Sequence, residues 1–512
     1  MLVKTFGSAL LGIDAIIVTV EVSVTKGINF FLVGLPDNAI KESQQRIATA
    51  LDNNGYKMPG RRIVINMAPA GIRKEGSSYD LTLATGILAA SGQIPSGRIG
   101  DYLIMGELSL DGSLRPVRGA LPIAIKAKEA GLKGFILPMQ NAREAAIVKG
   151  LEVHGVRHLM DVTDFFHGIK KFQPLIVDAR KEFQKRVNNW ESDFADVKGQ
   201  ENVKRALEIA AAGSHNLLML GPPGSGKTML ARRLASILPP FTLQESLETT
   251  KIHSVAGRLG AERSLMTRRP FRSPHNTISA AAMVGGGSVP RPGEVSLSHN
   301  GVLFLDELPE FQRSVLEMMR QPLEDRSIDI SRAKYAVRYP AGFMLVASMN
   351  PCPCGYYNHP EKDCICHPGM VQKYLSRISG PLLDRIDIHI EVAPVTFDEL
   401  SGKRNAESSS AIRTRVTAAR VLQGKRFRQH SNIHSNAQMS SKLLHDHCPV
   451  DNTGRLLLKN AMHKLGLSAR AYDRILKLSR TIADLDNSPK IESLHLAEAI
   501  QYRSLDREAW AG

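Results

Sequence analysis

The sequence predicts an α/β protein in which a core with a parallel β-sheet stands between an N-terminal α+β domain and a C-terminal helical domain. Three observations support this class. Between about residues 196 and 398, apolar runs typical of buried strands alternate with helical patterns, as in a sheet covered on both faces. Before residue 172, strands and helices follow one another in mixed order. After residue 399 the patterns are helical, and the length of 512 residues suits three to four domains.

The predicted elements follow from local patterns along the chain. In the N-terminal domain, residues 1–172, strands are predicted at 15–24, 30–33, 63–66 and 134–138, and helices at 39–53, 81–90 and 120–130. A charged linker is expected at 173–195, followed by the core at 196–398. The helical domain, residues 399–512, starts in a polar stretch and has predicted helices at 411–423, 456–464, 469–483 and 494–503.

A glycine-rich turn follows the first strand of the core, residues 217–220. It has the pattern Gly-x-x-x-x-Gly-Lys-Thr and consists of Gly221, Pro222, Pro223, Gly224, Ser225, Gly226, Lys227 and Thr228. The N–H groups of such a turn converge on phosphates, and the N-terminus of the next helix adds partial positive charge. Lys227 is expected to reach the β- and γ-phosphates, and Thr228 to hold Mg²⁺. The alternative is a plain glycine-rich turn, but the flanking strand and helix favour a nucleoside triphosphate site.

Two further strands of the core end in polar side chains. The apolar run 302–305 leads into Asp306 and Glu307, and the run 343–349 leads into Asn350. After a phosphate loop, Asp306 is expected to hold Mg²⁺, and Glu307 to orient and deprotonate the attacking water. Asn350 is expected to hydrogen-bond that water or the γ-phosphate. An acid pair at the end of a strand can alternatively be a simple helix N-cap.

The composition indicates a polyanionic partner and a reducing compartment. The formal net charge of +16 favours nucleic acid, with a merely soluble basic enzyme as the alternative. Five cysteines, an odd number, without a secretion signal are typical of a cytoplasmic protein. The apolar residues 1–24 are interrupted by charges, so neither a signal peptide nor a membrane span is expected.

Several blocks of the sequence resemble a known ATPase family. The phosphate loop, the Asp306 and Asn350 strand ends and the segment 381–387 look like an AAA+ ATPase. More narrowly, residues 272–279, 285–287, 292–301 and 350–355 resemble the magnesium-chelatase-like AAA+ family called YifB or ComM, and the similarity covers essentially the whole chain. The resemblance implies an insertion in the second helix of the core, at 252–300, and a β-hairpin at 327–340.

The same resemblance implies a ring, expected to be a hexamer of identical chains, with ATP at the subunit interfaces. Arg385 then corresponds to the arginine finger that reaches the γ-phosphate of a neighbour, with Arg377 as the nearer rival. Arg470 matches the nucleotide sensor of the helical lid. For each of these arginines the alternative is a surface ion pair.

Three groups of basic residues are candidate DNA contacts. They lie on the hairpin (Arg332, Lys334 and Arg338), on the insertion (Arg268, Arg269 and Arg272) and at the start of the lid (Arg413, Arg415, Arg420, Lys425, Arg426 and Arg428). In a ring, the first two groups could face the pore and follow a phosphate backbone. The alternative is a solvated charged face.

Four cysteines lie close together after the Asn350 strand. Cys352 and Cys354 form one pair, Cys364 and Cys366 the other, and His367 offers a substitute ligand. Four thiolates suit a tetrahedral structural Zn²⁺ site, although the one-residue gap within each pair departs from the usual two-residue gap. The alternative is a set of reduced, packed cysteines. A catalytic metal is not expected, because four thiolates leave no open position.

Residues 71–138 resemble the Lon-protease-like domain, which has the fold of domain 2 of ribosomal protein S5. Ser78 is in register with the nucleophilic serine of that family, but Leu121 occupies the place of its lysine. A leucine cannot accept a proton, so the serine–lysine dyad is absent. Lys126 and Lys128, later on the same helix, are the remaining candidates for a base. The domain is expected to be a scaffold or a binding module.

These features predict an ATP hydrolase that uses ATP and Mg²⁺ and moves on single-stranded or branched DNA. The resemblance implies a branch-migration helicase of natural transformation. Two alternatives stay open. A magnesium-chelatase motor subunit would use the same ATPase parts to drive metal insertion into a porphyrin, and an ATP-gated scaffold would act on a protein client.

Overall fold

The chain forms two compact units in the computed structural model. The first comprises Met1–Val187, Thr242–Thr267 and Pro290–Pro292, and the second comprises Asn188–Phe241, Arg268–Val289 and Gly293–Gly512. The structure describes the chain except residues 171, 186–192, 261–262, 288–289, 333–334, 358, 360, 396–405, 431–432 and 504–512, and except the side chains of residues 184, 185, 332 and 335. The predicted α/β class is confirmed, and the boundaries of the four sequence-defined segments stay predictions.

The first unit is built on a mixed seven-stranded sheet. Its strands are β1 (Leu2–Leu11), β2 (Asp14–Thr25), β3 (Phe30–Val33), β4 (Arg62–Ala68), β5 (Tyr102–Ile104), β8 (Gly134–Pro138) and β9 (Glu152–Val156), with a separate pair β6 (Glu107–Leu108) and β7 (Leu114–Arg115). The sheet order is β3-β4-β2-β1-β5-β8-β9. Strands β1, β2 and β4 pair antiparallel, and the other neighbours pair parallel.

Strand β2 shows why this sheet forms where the sequence predicted it. Val18, Val20, Val22 and Val24 are buried, and the residues between them are not. This period of two is that of a strand with one face on a core. Strand β1 was not predicted, because two of its buried residues, Thr5 and Ser8, are polar. The sequence of this strand therefore lacks the alternation of apolar and polar residues that indicates a strand with one buried face.

The helices of the first unit cover this sheet. They are α1 (Asn38–Lys41), α2 (Ser43–Asn53), α3 (Asp80–Ala90), α4 (Ala120–Glu129), α5 (Met139–Ala145), α6 (Leu159–His167) and α7 (Ala179–Lys185). Every residue of α3 is buried, as expected of a helix that is apolar all round. The predicted helices at 81–90 and 120–130 are confirmed.

The second unit contains the predicted parallel sheet. Its strands are β10 (Leu217–Leu220), β11 (Phe271–Arg272), β14 (Val302–Leu305), β17 (Met344–Met349) and β18 (Ile388–Glu391), in the order β11-β14-β17-β10-β18. All neighbours run parallel. Strands β14 and β17 are buried at every position, because a parallel sheet carries helices on both faces.

Helices and short strands complete the second unit. Around the sheet lie α8 (Glu201–Gly213), α9 (Lys227–Ile237), α11 (Ala280–Val284), α12 (Glu294–Leu297), α13 (Arg313–Met318), α14 (Arg320–Asp325), α15 (Pro368–Leu375) and α16 (Gly380–Leu383). The predicted hairpin is formed by β15 (Ser327–Arg332) and β16 (Tyr335–Pro340), and β12 (Gly285–Gly286) is a short strand of this unit, whereas β13 (Arg291–Pro292) belongs to the first unit. The lid helices are α17 (Ser409–Arg426), α18 (Ser441–His447), α19 (Asn452–Lys464), α20 (Ala469–Leu485) and α21 (Ser493–Gln501).

The predicted helical lid is confirmed. Helix α20 buries Ala471, Ile475, Leu478 and Ile482, spaced three and four residues apart as on one face of a helix. These residues join the hydrophobic cluster that also contains Leu217 of strand β10. Within the described part of the chain, no helix is long and apolar enough to cross a membrane.

Helix α10 (Leu243–Val255), which follows α9 in the chain, belongs to the first unit. Its Leu243 and Leu247 pack against the core of that unit. At its other end the carbonyl of Ser254 accepts a hydrogen bond of 3.1 Å from the N–H of Gly119, the residue before α4. The first part of the segment expected to be an insertion therefore packs on the Lon-like domain, a contact that no local sequence pattern predicted.

Candidate nucleotide site

The phosphate loop joins β10 to α9 in the strand–turn–helix arrangement that the sequence predicted. Three positions of the loop require glycine. A Cβ atom at Gly221 would lie 2.3 Å from the carbonyl oxygen of Val392, which is closer than real Cβ contacts. Gly224 and Gly226 have φ angles of 80° and 88°, in the left-handed region that glycine adopts without steric cost.

The side chain of Lys227, the first residue of α9, folds back onto the loop. Its Nζ donates to the carbonyl oxygens of Gly221 at 2.7 Å and Pro222 at 2.8 Å, and to Oδ1 of Asn350 at 3.2 Å. The side chain is buried, and burial lowers the pKa of Lys227 from its ordinary value. Strand β10 leads into the phosphate loop and β17 leads into Asn350 at the same edge of the sheet, because Leu220 and Met349 are partners in these neighbouring parallel strands.

Thr228 and Asp306 meet at this edge of the sheet as well. The hydroxyl of Thr228 donates to Oδ2 of Asp306 at 2.6 Å. The other carboxylate oxygen accepts from the hydroxyl of Ser348 and from the N–H of Glu307 at 3.1 Å. A hydroxyl and a carboxylate side by side are the oxygen donors with which proteins hold Mg²⁺ beside phosphates, so the residues fit this ion.

Ser348 is a residue of the candidate site that the sequence analysis did not identify. It lies two positions before Asn350, in a strand that is otherwise apolar. Its hydroxyl donates a hydrogen bond to one carboxylate oxygen of Asp306. The other carboxylate oxygen stays available to the hydroxyl of Thr228. The single polar residue in the run Met-Leu-Val-Ala-Ser-Met was the available signal.

Glu307 is exposed and has a left-handed backbone conformation, with φ at 54°. Such a conformation costs a residue with a side chain of order 1 kcal/mol and persists where the surroundings impose it, often at functional sites. Here the N–H of Glu307 is held by Oδ1 of Asp306. The backbone N–H of the predicted base, Glu307, therefore binds the carboxylate of the predicted metal ligand, Asp306, directly.

The three predicted arginines have different surroundings. Arg385 is buried, donates to the carbonyl of Pro381 at 2.5 Å and forms an ion pair with Glu324. Arg377 is 52% exposed and contacts the carboxylate of Glu310 at 3.0 Å. Arg470 is 64% exposed, 3.7 Å from Asp384. Which arginine acts on a neighbouring subunit stays a prediction.

Several of the basic residues predicted to contact DNA hold partners within the fold. Arg272 binds Glu294, Arg269 binds the carbonyls of Pro239 and Asn300, Arg338 binds Asp329, Arg415 binds Glu208 and Glu407, Arg420 binds Ser214 and the carbonyl of Ala211, and Arg426 binds Asp484. Among these, Arg338 is the most exposed at 71%. Lys334 and the side chain of Arg332 lie outside the described residues.

The lid carries a basic cleft that the sequence patterns above did not indicate. Its volume is about 500 Å³, and it lies between helices α19 and α20. The cleft is lined by Arg455, Leu458, Lys459, Met462, His463 and Tyr472. Three of them, Arg455, Lys459 and His463, recur every four residues and so share one face of α19. That spacing was the available sequence signal.

The four clustered cysteines come together in space. The sulfur atoms of Cys352, Cys354, Cys364 and Cys366 all lie within 4.8 Å of one another. His367 is exposed at the start of α15. The one-residue gap within each pair does not prevent convergence, and the set can hold a metal ion.

The residues proposed for peptidase chemistry lie in different settings. Ser78 is half-buried before α3, and Leu121 is buried in α4. Lys126 pairs with Glu129 at 3.1 Å, and Lys128 donates to the carbonyl of Lys149. Lys126 thus pairs within its own helix and Lys128 binds the segment after α5, and a scaffold role for the domain stays the prediction.

Comparisons with known proteins cover 98% of the chain. Sequence models described as "Magnesium chelatase, subunit ChlI", "Subunit ChlI of Mg-chelatase" and "Magnesium chelatase, subunit ChlI C-terminal" match residues 193–400, 20–141 and 406–503. The competence protein ComM of Haemophilus influenzae is 44% identical over 98% of this chain and 97% of its own length. The chain belongs to the YifB/ComM family of magnesium-chelatase-like AAA+ ATPases. YifB of Escherichia coli is 42% identical over 98% of this chain and 96% of its own length.

This family member also has a partial match outside the family. Lon protease 2 of Bacillus subtilis is 31% identical over 153 residues, which are 28% of this chain and 27% of that protein. The predicted family and the Lon-like character of the first domain are confirmed. Membership supports ATPase activity with ATP and Mg²⁺, and the site described above has the residues for both.

Proposed function

We propose that the chain is a cytoplasmic AAA+ ATPase that assembles as a homohexameric ring and couples ATP hydrolysis to movement on DNA, as a branch-migration helicase in recombination or natural transformation. The observation that carries the proposal is the similarity, along almost the whole of both chains, to a relative named as a competence protein. The net charge of +16 supports a polyanionic partner.

The geometry at the edge of the sheet supports the proposed hydrolytic roles. Lys227 would exchange its bonds to the loop carbonyls for bonds to the β- and γ-phosphates. Thr228 and Asp306 would hold Mg²⁺, which neutralises charge on the phosphates when bound. Glu307, held next to Asp306, would take the proton of the attacking water, and Asn350 would orient that water or the γ-phosphate.

A neighbouring subunit would complete the site with an arginine. Arg385 is the predicted finger, and to act on a neighbour it would have to release Glu324. Arg377 is the rival and is already at the surface. Arg470 of the lid would sense the nucleotide within the same subunit.

DNA contact is proposed at the hairpin and at the basic cleft of the lid. The cleft combines cationic side chains, Arg455 and Lys459, with the ring of Tyr472. Such a combination suits a single strand, because cationic side chains follow the phosphates and an aromatic ring stacks on bases. Arg338 on the hairpin is exposed and would exchange Asp329 for a phosphate.

The salt dependence of DNA binding tests the partner. We measure the association constant for single-stranded DNA by fluorescence anisotropy and expect its logarithm to fall linearly with the logarithm of the salt concentration. Each phosphate that a variant no longer neutralises should make this slope shallower by about 0.7. Lys459→Glu should weaken binding and make the slope shallower. Lys442→Glu, an equal charge reversal on α18, is the control. DNA affinity that does not change with the salt concentration would exclude the cleft as a DNA site. So would an equal loss of affinity in Lys459→Glu and Lys442→Glu.

A magnesium-chelatase motor is the second candidate, because the matching sequence models are described by the chelatase subunit ChlI. Such a motor would need separate partner subunits and would not need DNA. ATP turnover that is unchanged by DNA at low salt would favour this candidate or a protein client.

A further inference from the structure

The cysteine cluster has the spacing of a metal centre. Sγ of Cys352 lies 3.3 Å from Sγ of Cys354 and 3.7 Å from Sγ of Cys364, and the last two sulfurs are 3.5 Å apart. A disulfide requires about 2.05 Å between sulfurs. Four thiolates at about 2.3 Å from a tetrahedral Zn²⁺ are about 3.8 Å apart. The observed distances lie close to the second arrangement and far from the first.

The backbone around the cluster supports thiolates. The N–H of Gly355 donates to Sγ of Cys352 at 3.2 Å, and the N–H of Cys366 donates to Sγ of Cys364 at 3.4 Å. Hydrogen bonds of this kind around a metal orient the ligands and stabilise their charge. A closed set of four sulfur ligands is typical of structural zinc.

Simple packing of reduced cysteines does not account for the cluster. Cysteines that serve as small apolar side chains are among the most buried residues of a protein. Here Cys352 is buried, but Cys354, Cys364 and Cys366 are only partly buried, and the neighbouring Ile365 is 84% exposed. Four thiols that converge near the surface are better explained by an ion between them.

The loop that carries the cluster touches the phosphate loop at two places. Asn350, two residues before Cys352, accepts a hydrogen bond from Lys227. Gly355, one residue after Cys354, lies so close to Pro223 that a Cβ atom at position 355 would be 2.4 Å from Cδ of Pro223. The cysteine loop therefore backs the part of the chain that would hold the phosphates.

We propose that Cys352, Cys354, Cys364 and Cys366 bind one Zn²⁺, and that this zinc centre holds the cysteine loop against the phosphate loop, so that ATP binding depends on it. The metal half of the proposal stands on the sulfur geometry alone. The second half rests on the proposed ATPase function. The zinc is structural, since no ligand position is open.

The metal half is tested by the zinc content of the purified full-length chain. We expect about one zinc per chain by elemental analysis. Cys364→Ser should lose it, and Cys448→Ala, which removes a cysteine of the lid outside the cluster, should keep it. A wild-type chain purified under reducing conditions, without chelators, that holds no zinc and takes up none on addition would overturn this half.

The second half is tested by a variant that keeps all four thiols. In Gly355→Ala the new methyl group would be about 1 Å too close to Pro223, given that ordinary contacts begin at 3.4 Å, and φ at 86° adds strain. We expect zinc to stay bound, while the affinity for a fluorescent ATP analogue falls and ATP turnover falls about a hundredfold, the loss that a displacement of about 1 Å at a reacting group can cause. Gly369→Ala is the control, since no atom lies within 4 Å of its Cβ position.

Three outcomes separate the claims. Wild-type affinity for a fluorescent ATP analogue and wild-type turnover in Gly355→Ala would overturn the link between the two loops. Zinc loss in Cys364→Ser with unchanged ATP binding would overturn it as well. A wild-type chain that holds zinc but binds no ATP analogue would contradict the proposed ATPase and leave the zinc centre standing.

Discussion

Asp387 offers the sharpest test of how the lid is joined to the sheet. Its carboxylate is 1% exposed, lies 3.1 Å from Nδ1 of His215 and binds Arg474 of the lid helix α20. Burial alone would raise the pKa of Asp387, but the charge of Arg474 and the contact with His215 outweigh it and hold the pKa well below its usual range. The carboxylate is therefore charged at every ordinary pH.

Removal of Asp387 would leave Arg474 without its anion inside the protein. The loss of one partner of a buried ion pair costs about 3–5 kcal/mol, and Arg474 is 19% exposed, so the lower end, about 3 kcal/mol, applies. For Asp387→Ala this corresponds to a fall in melting temperature of roughly 6–12 °C at pH 7. Differential scanning fluorimetry measures it.

The control and the pH dependence make this test specific. Asp446 is 50% exposed and lies 3.6 Å from the exposed His445, so Asp446→Ala should change stability by no more than about 0.5 kcal/mol. Because the folded pKa of Asp387 is depressed, its contribution is complete above the unfolded pKa, about 3.9, and declines only below it. A variant that melts within about 2 °C of the wild type would refute the reasoning.

Two further variants test the surroundings of this network and the metal site. Burial and the charge of Arg474 lower the pKa of Lys477 to about 8, whereas a lysine in the unfolded chain titrates near 10.4. The protonated side chain therefore destabilises the fold below pH 8. Lys477→Met removes this penalty but also the hydrogen bond to the carbonyl of Ala437, so the net gain in stability at pH 7 should be about 2 kcal/mol. Thermal melts at several pH values should show that the gain vanishes by about pH 10. Thr228→Val keeps the shape of the side chain but removes the hydroxyl that binds Asp306. The Mg²⁺ concentration that gives half-maximal ATP turnover should therefore rise about tenfold or more. An unchanged Mg²⁺ titration would contradict the role assigned to Thr228.

The nucleotide site could be predicted because its residues mark the ends of strands. The loop before Lys227 and the strand ends at Asp306 and Asn350 are local signals, and parallel strands bring their carboxyl ends to one edge. The contacts at that edge agree with this expectation. Ser348 could not be assigned in the same way, since one polar residue in an apolar strand does not reveal its partner.

Other features depend on partners that are distant in the sequence. The basic run at the start of the lid looked like one charged surface, but Arg415 and Arg426 bind Glu208 and Asp484, which no local pattern indicates. Helix α10 packs beside Gly119 for the same kind of reason. The convergence of the cysteines could not be predicted either, because the one-residue gap within each pair departs from the usual two-residue gap of zinc sites, whereas the loop brings all four sulfurs together.

ATP turnover with and without single-stranded and forked DNA, at low salt, tests most directly whether this ATPase works on DNA. We expect DNA to raise turnover strongly in the wild type. In Glu307→Gln, which keeps the loop and the Mg²⁺ ligands but removes the base, turnover should be abolished with and without DNA while an ATP analogue still binds. Turnover in the wild type that is the same with and without DNA would contradict the DNA-motor account.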